Sequence, residues 1–351
     1  MATVLSAPPA PTPLLPPAGC TFDAADWAIL ARHWYPVALS REVGDGPLGA
    51  RLLDQPLVVY RAGGQVVVAP DHCPHRGVPL SMGQASGAGV VCPYHGLTFG
   101  AKGACVHVPA HPARDIPARL HLNTYPAVER YGLVWTCLDR EADPAAIPAM
   151  PHWDEAGFQQ ITCPWIDIAG FAGRQVEGFL DVAHFAFVHT DTFADPANAQ
   201  VPTYSPRRAP HGFEAEYWST VGNYPHSAGK AAPDFAWLRH FRCHVPFTAT
   251  LEIHFPGADR LVIMNAASPV SARKTRMFAP IARNFDTHLP VQDVYDFNRR
   301  VFEEDRALVE AQVPAALPLD PAAEAHLPAD MSSMIYRRSL REMGLGRFFA
   351  Q

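Results

Sequence analysis

Two short segments rich in metal-ligating side chains constrain the fold of this chain more than any other feature. Residues 73–77 read Cys-Pro-His-Arg-Gly, and residues 92–96 read Cys-Pro-Tyr-His-Gly. Proline and glycine at these positions favour tight turns in which the backbone passes close to the side chains. We therefore expect two neighbouring turns that each present one thiolate and one imidazole. The four candidate ligands are Cys73, His75, Cys92 and His95.

The region around these segments has the pattern of a small antiparallel β domain. Between about residues 47 and 138, short apolar runs alternate with turns that contain glycine and proline. Such runs are typical of strands in an all-β unit. The predicted strands include Leu57–Tyr60, Gln65–Val68, Val90–Val91 and Leu133–Leu138.

The donor set of the two turns favours an iron–sulfur cluster over a zinc ion. In a [2Fe–2S] cluster with mixed ligands, two cysteines hold one iron and two histidines hold the other. A zinc finger more often has paired cysteines followed by paired histidines on a helix. Here cysteine and histidine alternate, and turn residues surround both halves. We expect the cluster, with a Cys₂His₂ zinc site as the weaker alternative.

A second group of candidate ligands lies between residues 171 and 189, where the pattern predicts a helix. Asp181 and His184 are three residues apart, so on a helix they would be neighbours on one face. His189 follows His184 by five residues, which is about 140° around a regular helix. Both histidines can therefore bind one metal only if the helix ends or bulges between them.

A long helix predicted at residues 290–312 supplies a third candidate ligand, Asp305. It lies in the middle of an apolar stripe formed by Val294, Val301, Phe302, Leu308 and Val309, while Glu303, Glu304 and Glu310 are expected to point away. A buried carboxylate is costly unless it pairs with a cation or binds a metal. A buried salt bridge is one interpretation. The other is an Fe(II) site formed by two histidines and one carboxylate, His184, His189 and Asp305.

The composition argues against nucleic-acid binding, a membrane span and a disulfide-rich fold. The net charge is -6, from 28 Lys and Arg against 34 Asp and Glu, with no basic run of the kind that binds nucleic acid. No apolar run reaches the roughly 18 residues that a membrane span needs. Seven cysteines, an odd number, argue against a disulfide framework and predict a cytoplasmic protein.

The chain divides into three parts by composition. Residues 1–20 lack Lys and Arg and are rich in proline, which predicts a flexible tail and not a secretory signal. Residues 21–145 form the cluster domain, and residues 146–351 form a second domain of antiparallel strands flanked by helices. Besides the helices named above, we expect short helices at residues 23–33, with Asp23 as N-cap, and at residues 332–341. The predicted fold class is α+β.

The cysteine and histidine segments resemble the Rieske domain of Rieske non-haem iron oxygenases. Val78 and Tyr94 stand where respiratory Rieske proteins carry an additional cysteine, so the oxygenase type is the better match. Asp181-x-x-His184-x4-His189 resembles the mononuclear-iron motif of these enzymes, and the run around Asp305 resembles their carboxylate segment. The resemblance covers nearly the whole chain after residue 25. One departure is Gly178, where many members have asparagine.

This resemblance implies the cofactors, the fold and the partners. It implies a Rieske [2Fe–2S] cluster on Cys73, His75, Cys92 and His95, and a mononuclear Fe(II) on His184, His189 and Asp305. The catalytic domain would be of the helix-grip, START-like kind. Asp181 would be a catalytic residue that bridges His184 to His95 of the next protomer in a head-to-tail homotrimer. Electrons would come from NAD(P)H through a separate flavin- or ferredoxin-type reductase, because the chain has no GxGxxG motif after a predicted strand.

The implied activity is that of a monooxygenase from the shorter, α-only group of N- and O-demethylases. Such an enzyme uses O₂ to hydroxylate an aromatic or heterocyclic substrate. The alternatives are an aromatic-ring cis-dihydroxylating dioxygenase and a Rieske electron-transfer protein without a mononuclear iron. Candidates for lining the pocket are Phe179, Phe187, Asn223 and Asn265, with ordinary core or loop packing as the favoured interpretation of each.

Overall fold

The computed structural model describes residues 14–194, 196–219 and 235–347. Within these ranges the chain is α+β, as predicted: antiparallel sheets dominate, and the helices concentrate in the C-terminal half. None of the helices in the described ranges is both long and apolar enough to cross a membrane.

Ten short strands form three small antiparallel sheets in the N-terminal half. The sheets have the strand orders β2-β3-β4, β5-β6-β7-β8 and β1-β10-β9. All four strands predicted here are confirmed, with somewhat different ends. The bounds are β1 Tyr35–Leu39, β2 Leu48–Leu52, β3 Gln55–Ala62, β4 Gln65–Pro70, β5 Gln84–Ser86, β6 Gly89–Val91, β7 Thr98–Phe99, β8 Cys105–His107, β9 Ala127–Arg130 and β10 Leu133–Thr136.

The C-terminal half is built on one large antiparallel sheet of nine strands. Seven strands follow the order β11-β19-β17-β16-β15-β14-β13, and β18 joins β12 to β17. The bounds are β11 Gln159–Thr162, β12 Ile166–Ile168, β13 Arg207–Ala209, β14 Gly212–Ser219, β15 Trp237–His244, β16 Thr248–His254, β17 Arg260–Ser271, β18 Lys274–Phe278 and β19 Pro280–Arg283.

Five α-helices accompany these sheets in the described ranges. They are α1 Ala24–Leu30, α2 Ala172–Leu180, α3 Phe185–Val188, α4 Val291–Ala311 and α5 Met331–Glu342. The predicted N-cap of α1 is confirmed, because the Asp23 carboxylate accepts a hydrogen bond from the Ala25 N–H. The long helix predicted at 290–312 and the short one at 332–341 are confirmed to within a residue at each end. The single helix predicted at 171–189 is wrong, since two shorter helices occupy that stretch.

Strand β14 has the alternating pattern of a sheet with one covered face, whereas β16 does not. In β14, Phe213, Ala215 and Tyr217 are buried and alternate with more exposed neighbours, apart from the buried last residue Ser219. In β16 the polar Glu252 lies between apolar residues, yet it is only 4% exposed. It accepts a hydrogen bond from the Arg242 guanidinium and lies 3.1 Å from the His152 ring, in the segment that crosses this face of the sheet. The strand is therefore covered on both sides.

The interior consists of three apolar clusters in the described part of the chain. One surrounds the metal-ligating turns and contains Cys73 and Cys92 together with Leu80, Val90 and Phe99. The other two clusters each combine residues from before and after the predicted domain boundary at residues 145/146. The largest of them lies between the nine-stranded sheet and helices α2, α4 and α5. In it, α2 packs against β16 and β17, and α4 packs against α2 and β12.

Candidate metal sites

The two cysteine-containing turns have the same backbone structure. The Cys73 N–H donates to the Val78 carbonyl and the Gly77 N–H to the Cys73 carbonyl, both at 2.8 Å. The second turn repeats this pattern, with bonds of 2.8 Å from Cys92 to Leu97 and 3.0 Å from Gly96 to Cys92. The two glycines have φ of 73° and 70°, a left-handed conformation that glycine adopts without strain. Each turn thus projects its two ligands in a matching way.

The four side chains of these turns divide into a buried pair and an exposed pair. The Cys73 and Cys92 thiols are each 2% exposed and lie in hydrogen-bond contact inside the N-terminal apolar cluster. The rings of His75 and His95 are exposed, with centroids 4.7 Å apart. Two interior thiols beside two surface imidazoles match the donors of a mixed-ligand [2Fe–2S] cluster.

Burial favours the neutral form of the Cys73 thiol unless positive charge is close. It raises the pKa of Cys73, and the adjacent Cys92 thiol raises it further. Because the thiolate is the form that binds metal, iron or another cation would stabilise the ionised form of this buried thiol. The donor set therefore fits the cluster that the sequence predicted.

The structure brings His184, His189 and Asp305 together at a second site. The ligand atoms of these three residues all lie within 4.8 Å of one another. The Nε2 atoms of His184 and His189 are 3.1 Å apart. Asp305 Oδ1 lies 3.2 Å from His189 Nε2 and 3.5 Å from His184 Nε2. Two ligands at a right angle around one metal, each about 2.1 Å from it, are separated by about 3.0 Å. The three residues therefore have the spacing of a facial triad.

A break in the helix makes this convergence possible. Helix α2 ends at Leu180, and Asp181 has extended backbone angles of φ -77° and ψ 135°. His184 precedes the single turn of α3 and His189 follows it, with φ -101° and ψ 30°. This break removes the 140° separation that a continuous helix would impose, as the sequence required.

Asp181 contacts His184 from a loop and not from a shared helix face. Its Oδ1 accepts a hydrogen bond of 2.8 Å from the Ala183 N–H, and its Oδ2 lies 3.2 Å from His184 Nδ1. The helical spacing argument for this pair was therefore wrong, although the contact that it predicted is present. The Asx-type turn at Asp181 replaces the missing helical turn.

The charges of the second site favour a bound cation. Burial lowers the pKa of His184, but its contacts with Asp181 and Asp305 outweigh this and raise the pKa to about 9. Burial raises the pKa of Asp305, but the two histidines more than compensate and hold it below its usual value. Several carboxylates thus converge on two imidazoles with no Lys or Arg among the described residues that line the adjacent cavity. A divalent cation would balance them.

The expectation that Glu304 points away from the site is wrong. Its Oε2 lies 2.7 Å from His189 Nδ1 and accepts a hydrogen bond of 2.9 Å from the Thr192 hydroxyl. Glu310 is exposed, in agreement with the prediction, and accepts a hydrogen bond from the Ala169 N–H, whereas Leu308, assigned to the buried stripe, is 50% exposed. The adjacency of Glu304 to Asp305 was the one available signal, since neighbours on a helix differ by about 100° and can flank the same site.

A largely apolar cavity opens beside the histidines and Asp305. It encloses about 600 Å³ including its mouth. Of the candidates, Phe179 lines it, but Asn265 is not among the lining residues and Phe187 is 66% exposed. Asn223 lies outside the described residues. The described lining residues are Phe179, His184, Phe185, His189, Phe193, Leu251, Ile253, Ile263, Phe297, Asn298, Val301, Phe302 and Asp305.

Two family models match the two halves of the chain. Residues 33–126 match the Rieske [2Fe-2S] domain, and residues 172–345 match the vanillate O-demethylase oxygenase C-terminal domain. The first match contains both cysteine-containing turns, and the second contains His184, His189 and Asp305. The two matches together place both candidate sites in one kind of protein.

Two curated relatives from Pseudomonas putida are similar over most of their length. Methylxanthine N1-demethylase NdmA is 34% identical, over 90% of this chain and 89% of the relative. Methylxanthine N3-demethylase NdmB is 32% identical, over 91% of each.

Solved structures agree with these relatives. The structure of Pseudomonas putida NdmA with caffeine has a TM-score of 0.79 at 31% identity, and the match covers 90% of this chain and 92% of that one. Dicamba monooxygenase, at 24% identity and a TM-score of 0.77, shares the fold. With a Rieske [2Fe–2S] cluster, a mononuclear iron and the oxidoreductase activity of an oxygenase component, this chain belongs to the Rieske non-haem iron oxygenases, in the α-only group that includes N- and O-demethylases.

Proposed function

We propose that this protein removes a methyl group oxidatively from an uncharged heterocyclic substrate. The substrate methyl group, O₂, two electrons and two protons give a hydroxymethyl group and water. The hydroxymethyl group then leaves as formaldehyde, and the nitrogen or oxygen that carried it keeps a proton. The single observation that carries this proposal is the apolar cavity that opens directly onto His184, His189 and Asp305.

We propose one set of ligands for the cluster and another for the mononuclear iron. Cys73, His75, Cys92 and His95 would hold the cluster, and His184, His189 and Asp305 would hold the mononuclear iron. When bound, the cluster supplies single electrons and the mononuclear iron supplies O₂ activation. The chain's own residues bind and orient the substrate and keep bulk water from the reacting methyl group. We propose the same division of the chain as before, with the cluster domain in residues 21–145 and the catalytic domain in residues 146–351.

The cavity lining favours an uncharged substrate. Among its described residues none is a Lys or Arg, so nothing there would pair with a carboxylate or sulfonate. Asp181, Asp305 and Glu304 lie around the two histidines, and three carboxylates would leave a net negative charge even beside a divalent iron. An anionic substrate would therefore be repelled, whereas a neutral ring system would pack against the phenylalanines.

Asn298 supplies a polar anchor in this apolar lining. Its Nδ2 donates a hydrogen bond of 2.8 Å to the Val294 carbonyl one turn earlier in α4, which holds the amide in one orientation. The second amide N–H and the amide oxygen then remain available to a carbonyl or an N–H of the substrate. Phe302 lies one turn further along the helix in the same wall. The similarity to methylxanthine demethylases supports an N-methyl heterocycle over an O-methyl arene.

Electrons would reach the mononuclear iron from the cluster of a neighbouring protomer. Within the described residues, the hydrogen-bonding partners of Asp181 are Ala183 and His184, and no cluster histidine of the same chain is among them. The Asp181 side chain keeps 28% exposure and His95 is exposed, so both are accessible to another copy. This supports a homotrimer in which Asp181 joins His184 to the partner's cluster. A separate flavin- or ferredoxin-type reductase would pass electrons from cytoplasmic NAD(P)H.

The test is product analysis with the iron-loaded protein and a reductase that reduces its cluster. Caffeine serves as the neutral N-methyl substrate and 4-methoxybenzoate as the anionic O-methyl comparison. We expect one formaldehyde per demethylated caffeine and little turnover of the benzoate. A cis-diol without formaldehyde would instead identify a dihydroxylating dioxygenase. Cluster reduction with no O₂ consumption in the presence of any substrate tried would identify an electron-transfer protein.

A further inference from the structure

The second imidazole of the mononuclear site is oriented by a carboxylate from the long helix. His189 Nδ1 lies 2.7 Å from Glu304 Oε2. A carboxylate accepts hydrogen bonds, so the imidazole carries its proton on Nδ1 and donates it to Glu304. In the neutral imidazole, the form that binds metal, the Nε2 atom is then unprotonated. It is the atom that faces the other two candidate ligands, 3.2 Å from Asp305 Oδ1 and 3.1 Å from His184 Nε2. The hydrogen bond therefore selects the tautomer that can bind a metal.

The same carboxylate oxygen also holds the segment that follows His189. It accepts a hydrogen bond of 2.9 Å from the Thr192 hydroxyl. The N–H groups of Thr192, Phe193 and Ala194 all lie within 3.1 Å of the His189 carbonyl oxygen, which closes a compact turn. The Phe193 ring stacks on the imidazole, with centroids 4.6 Å apart and 30° between the planes. Glu304 thus fixes the edge of the imidazole directly and its face through Thr192 and Phe193.

The burial of His189 makes its hydrogen bond to Glu304 important for metal binding. His189 is 2% exposed, so its Nδ1 proton is shielded from bulk water and Glu304 is the acceptor that the fold provides. An imidazole without that acceptor could rotate or change tautomer, and either change would remove Nε2 from the metal. A donor–acceptor pair of this kind also increases the electron density on the ligating nitrogen.

We propose that Glu304 is a positioning residue for the mononuclear iron, which acts on the metal through His189 and, by way of Thr192, also holds Phe193 in the cavity wall. The inference rests on the proposed role of His189 as a ligand. Asp181 has the corresponding place at His184, so each imidazole of the site has its own carboxylate. The two carboxylates differ in that Asp181 reaches its histidine from a nearby loop, whereas Glu304 reaches across from α4.

The test is the affinity of the mononuclear site for Fe(II), measured by anaerobic titration of protein that retains its cluster but has been freed of the second iron with a chelator. The variants are Glu304→Ala, Glu304→Gln and Thr192→Val. Glu303→Ala is the matched control, because Glu303 is the preceding residue of the same helix and pairs with Arg306 instead. His189→Ala tests the ligand assignment itself. Cluster absorbance and melting temperature report whether each variant is folded.

We expect Glu304→Ala to raise the Kd for Fe(II) about 10- to 100-fold, the usual effect of removing an outer partner of a metal-bound histidine. Glu304→Gln keeps the shape and an acceptor but not the charge, and we expect it to raise the Kd about threefold to tenfold. Thr192→Val should have a smaller effect than Glu304→Ala. Glu303→Ala should bind Fe(II) as the wild type does.

Two results would overturn different parts of this account. If His189→Ala loses iron but Glu304→Ala and Glu304→Gln both bind it within twofold of wild type, Glu304 does not position the ligand. If His189→Ala binds Fe(II) as tightly as wild type, the proposed ligand assignment fails first. Should Glu304→Ala not fold, Glu304→Gln decides the matter, because it preserves the volume and the hydrogen-bond acceptor. An equal loss of Fe(II) affinity in Glu303→Ala would also contradict a specific role.

Discussion

At the scale of single residues, the two cluster turns depend on glycines whose surroundings differ. Gly77 and Gly96 share a left-handed backbone, with φ of 73° and 70°. A side chain at Gly77 would enter open space, whereas one at Gly96 would meet the Pro109 ring at 3.0 Å. The two turns are therefore alike in backbone but not in their tolerance of a methyl group. Sequence alone shows the glycines but not Pro109 beside one of them.

This difference predicts unequal effects of the same substitution. Gly77→Ala adds only backbone strain, about 1 to 2 kcal/mol, and should retain the cluster. Gly96→Ala adds the contact with Pro109, so we expect a larger fall in melting temperature and a reduced cluster content. The measurements are acid-labile sulfide per chain and thermal unfolding. Equal sulfide content and equal melting temperatures in the two variants would show that the Pro109 contact is unimportant.

At the scale of secondary-structure elements, helix α2 is anchored by buried ion pairs. Arg337 of α5 donates two hydrogen bonds to the Glu177 carboxylate, at 2.6 and 2.9 Å, and a third to Glu324. Arg174 of α2 also binds Glu324, at 2.7 Å. This network links α2 to α5 and to the segment before it. It lies directly before Asp181, so it also positions the loop that leads to His184.

Breaking this network should destabilise the protein. Arg337→Met leaves Glu177, whose side chain is only 10% exposed, without its bidentate partner. Removing one partner of a buried ion pair costs about 3 to 5 kcal/mol. We expect a loss of this order in the free energy of unfolding by urea. The control is Arg338→Met on the same helix, whose side chain is 64% exposed and which should change the stability by less than about 1 kcal/mol. Equal losses in both variants would contradict the argument.

Strand β15 carries a histidine that should make stability depend on pH. Burial lowers the pKa of His244 to about 4, and the positive charges of His211 and Arg242 act in the same direction. The His211 and His244 rings stack with centroids 4.2 Å apart. Their Nε2 atoms are buried and have no hydrogen-bond partner among the described residues. Protonation of the native state is therefore unfavourable.

The sign of the effect follows from this lowered pKa. Above about pH 6.5 His244 is neutral in both the folded and the unfolded state, so it does not change the free energy of unfolding. Below that pH the unfolded chain binds a proton on His244, whereas the folded chain does not bind it until about pH 4. The free energy of unfolding should therefore fall by about 2 kcal/mol between pH 6.5 and 4, after allowance for partial exposure. His244→Phe keeps a ring on His211 but cannot ionise. We expect a shallower pH dependence in urea unfolding, and an unchanged slope would refute the assignment.

At the scale of the whole molecule, the two predicted domains share their interior. Trp34 and Trp135 from the N-terminal half pack in one cluster with Met264 and Phe278 from the C-terminal half. Strands β1 and β2 also contact β17. The two halves are therefore held in a fixed relation within one chain. Because the halves do not move relative to each other, electron transfer between protomers would depend on how whole chains assemble into an oligomer.

Mixing two inactive variants tests that path. His184→Ala should lack the mononuclear iron and Cys92→Ser should lack the cluster. If electrons pass between neighbours in a ring of three, random trimers of equal parts should recover about one quarter of wild-type turnover, because about one quarter of the contacts pair an intact cluster with an intact iron site. Formaldehyde release after coexpression is the measurement. Activity no higher than that of the separate variants would place the path within one chain.

The sequence by itself determined the local chemistry of this protein. The types of the candidate ligands and their spacing predicted which residues belong to each metal site. The cysteine turns were predictable because they are short-range structures that proline and glycine specify. The α+β class, α1 with its N-cap, α4 and α5 followed from periodicity and capping. The required break between His184 and His189 also followed from geometry alone, although its position did not.

Only the tertiary structure decided what depends on contacts between distant segments. Glu304 meets His189 across 115 residues, and Glu252 is buried because the segment with His152 crosses its strand. The cavity lining likewise combines α2, α3, α4 and two strands of the sheet, so Asn298 was missed and Phe187 was wrongly included. The periodicity of a helix or strand tells which residues share a face, but not what packs against that face. The physical reason is that burial and hydrogen-bond partners come from packing between elements, which one-dimensional spacing does not encode.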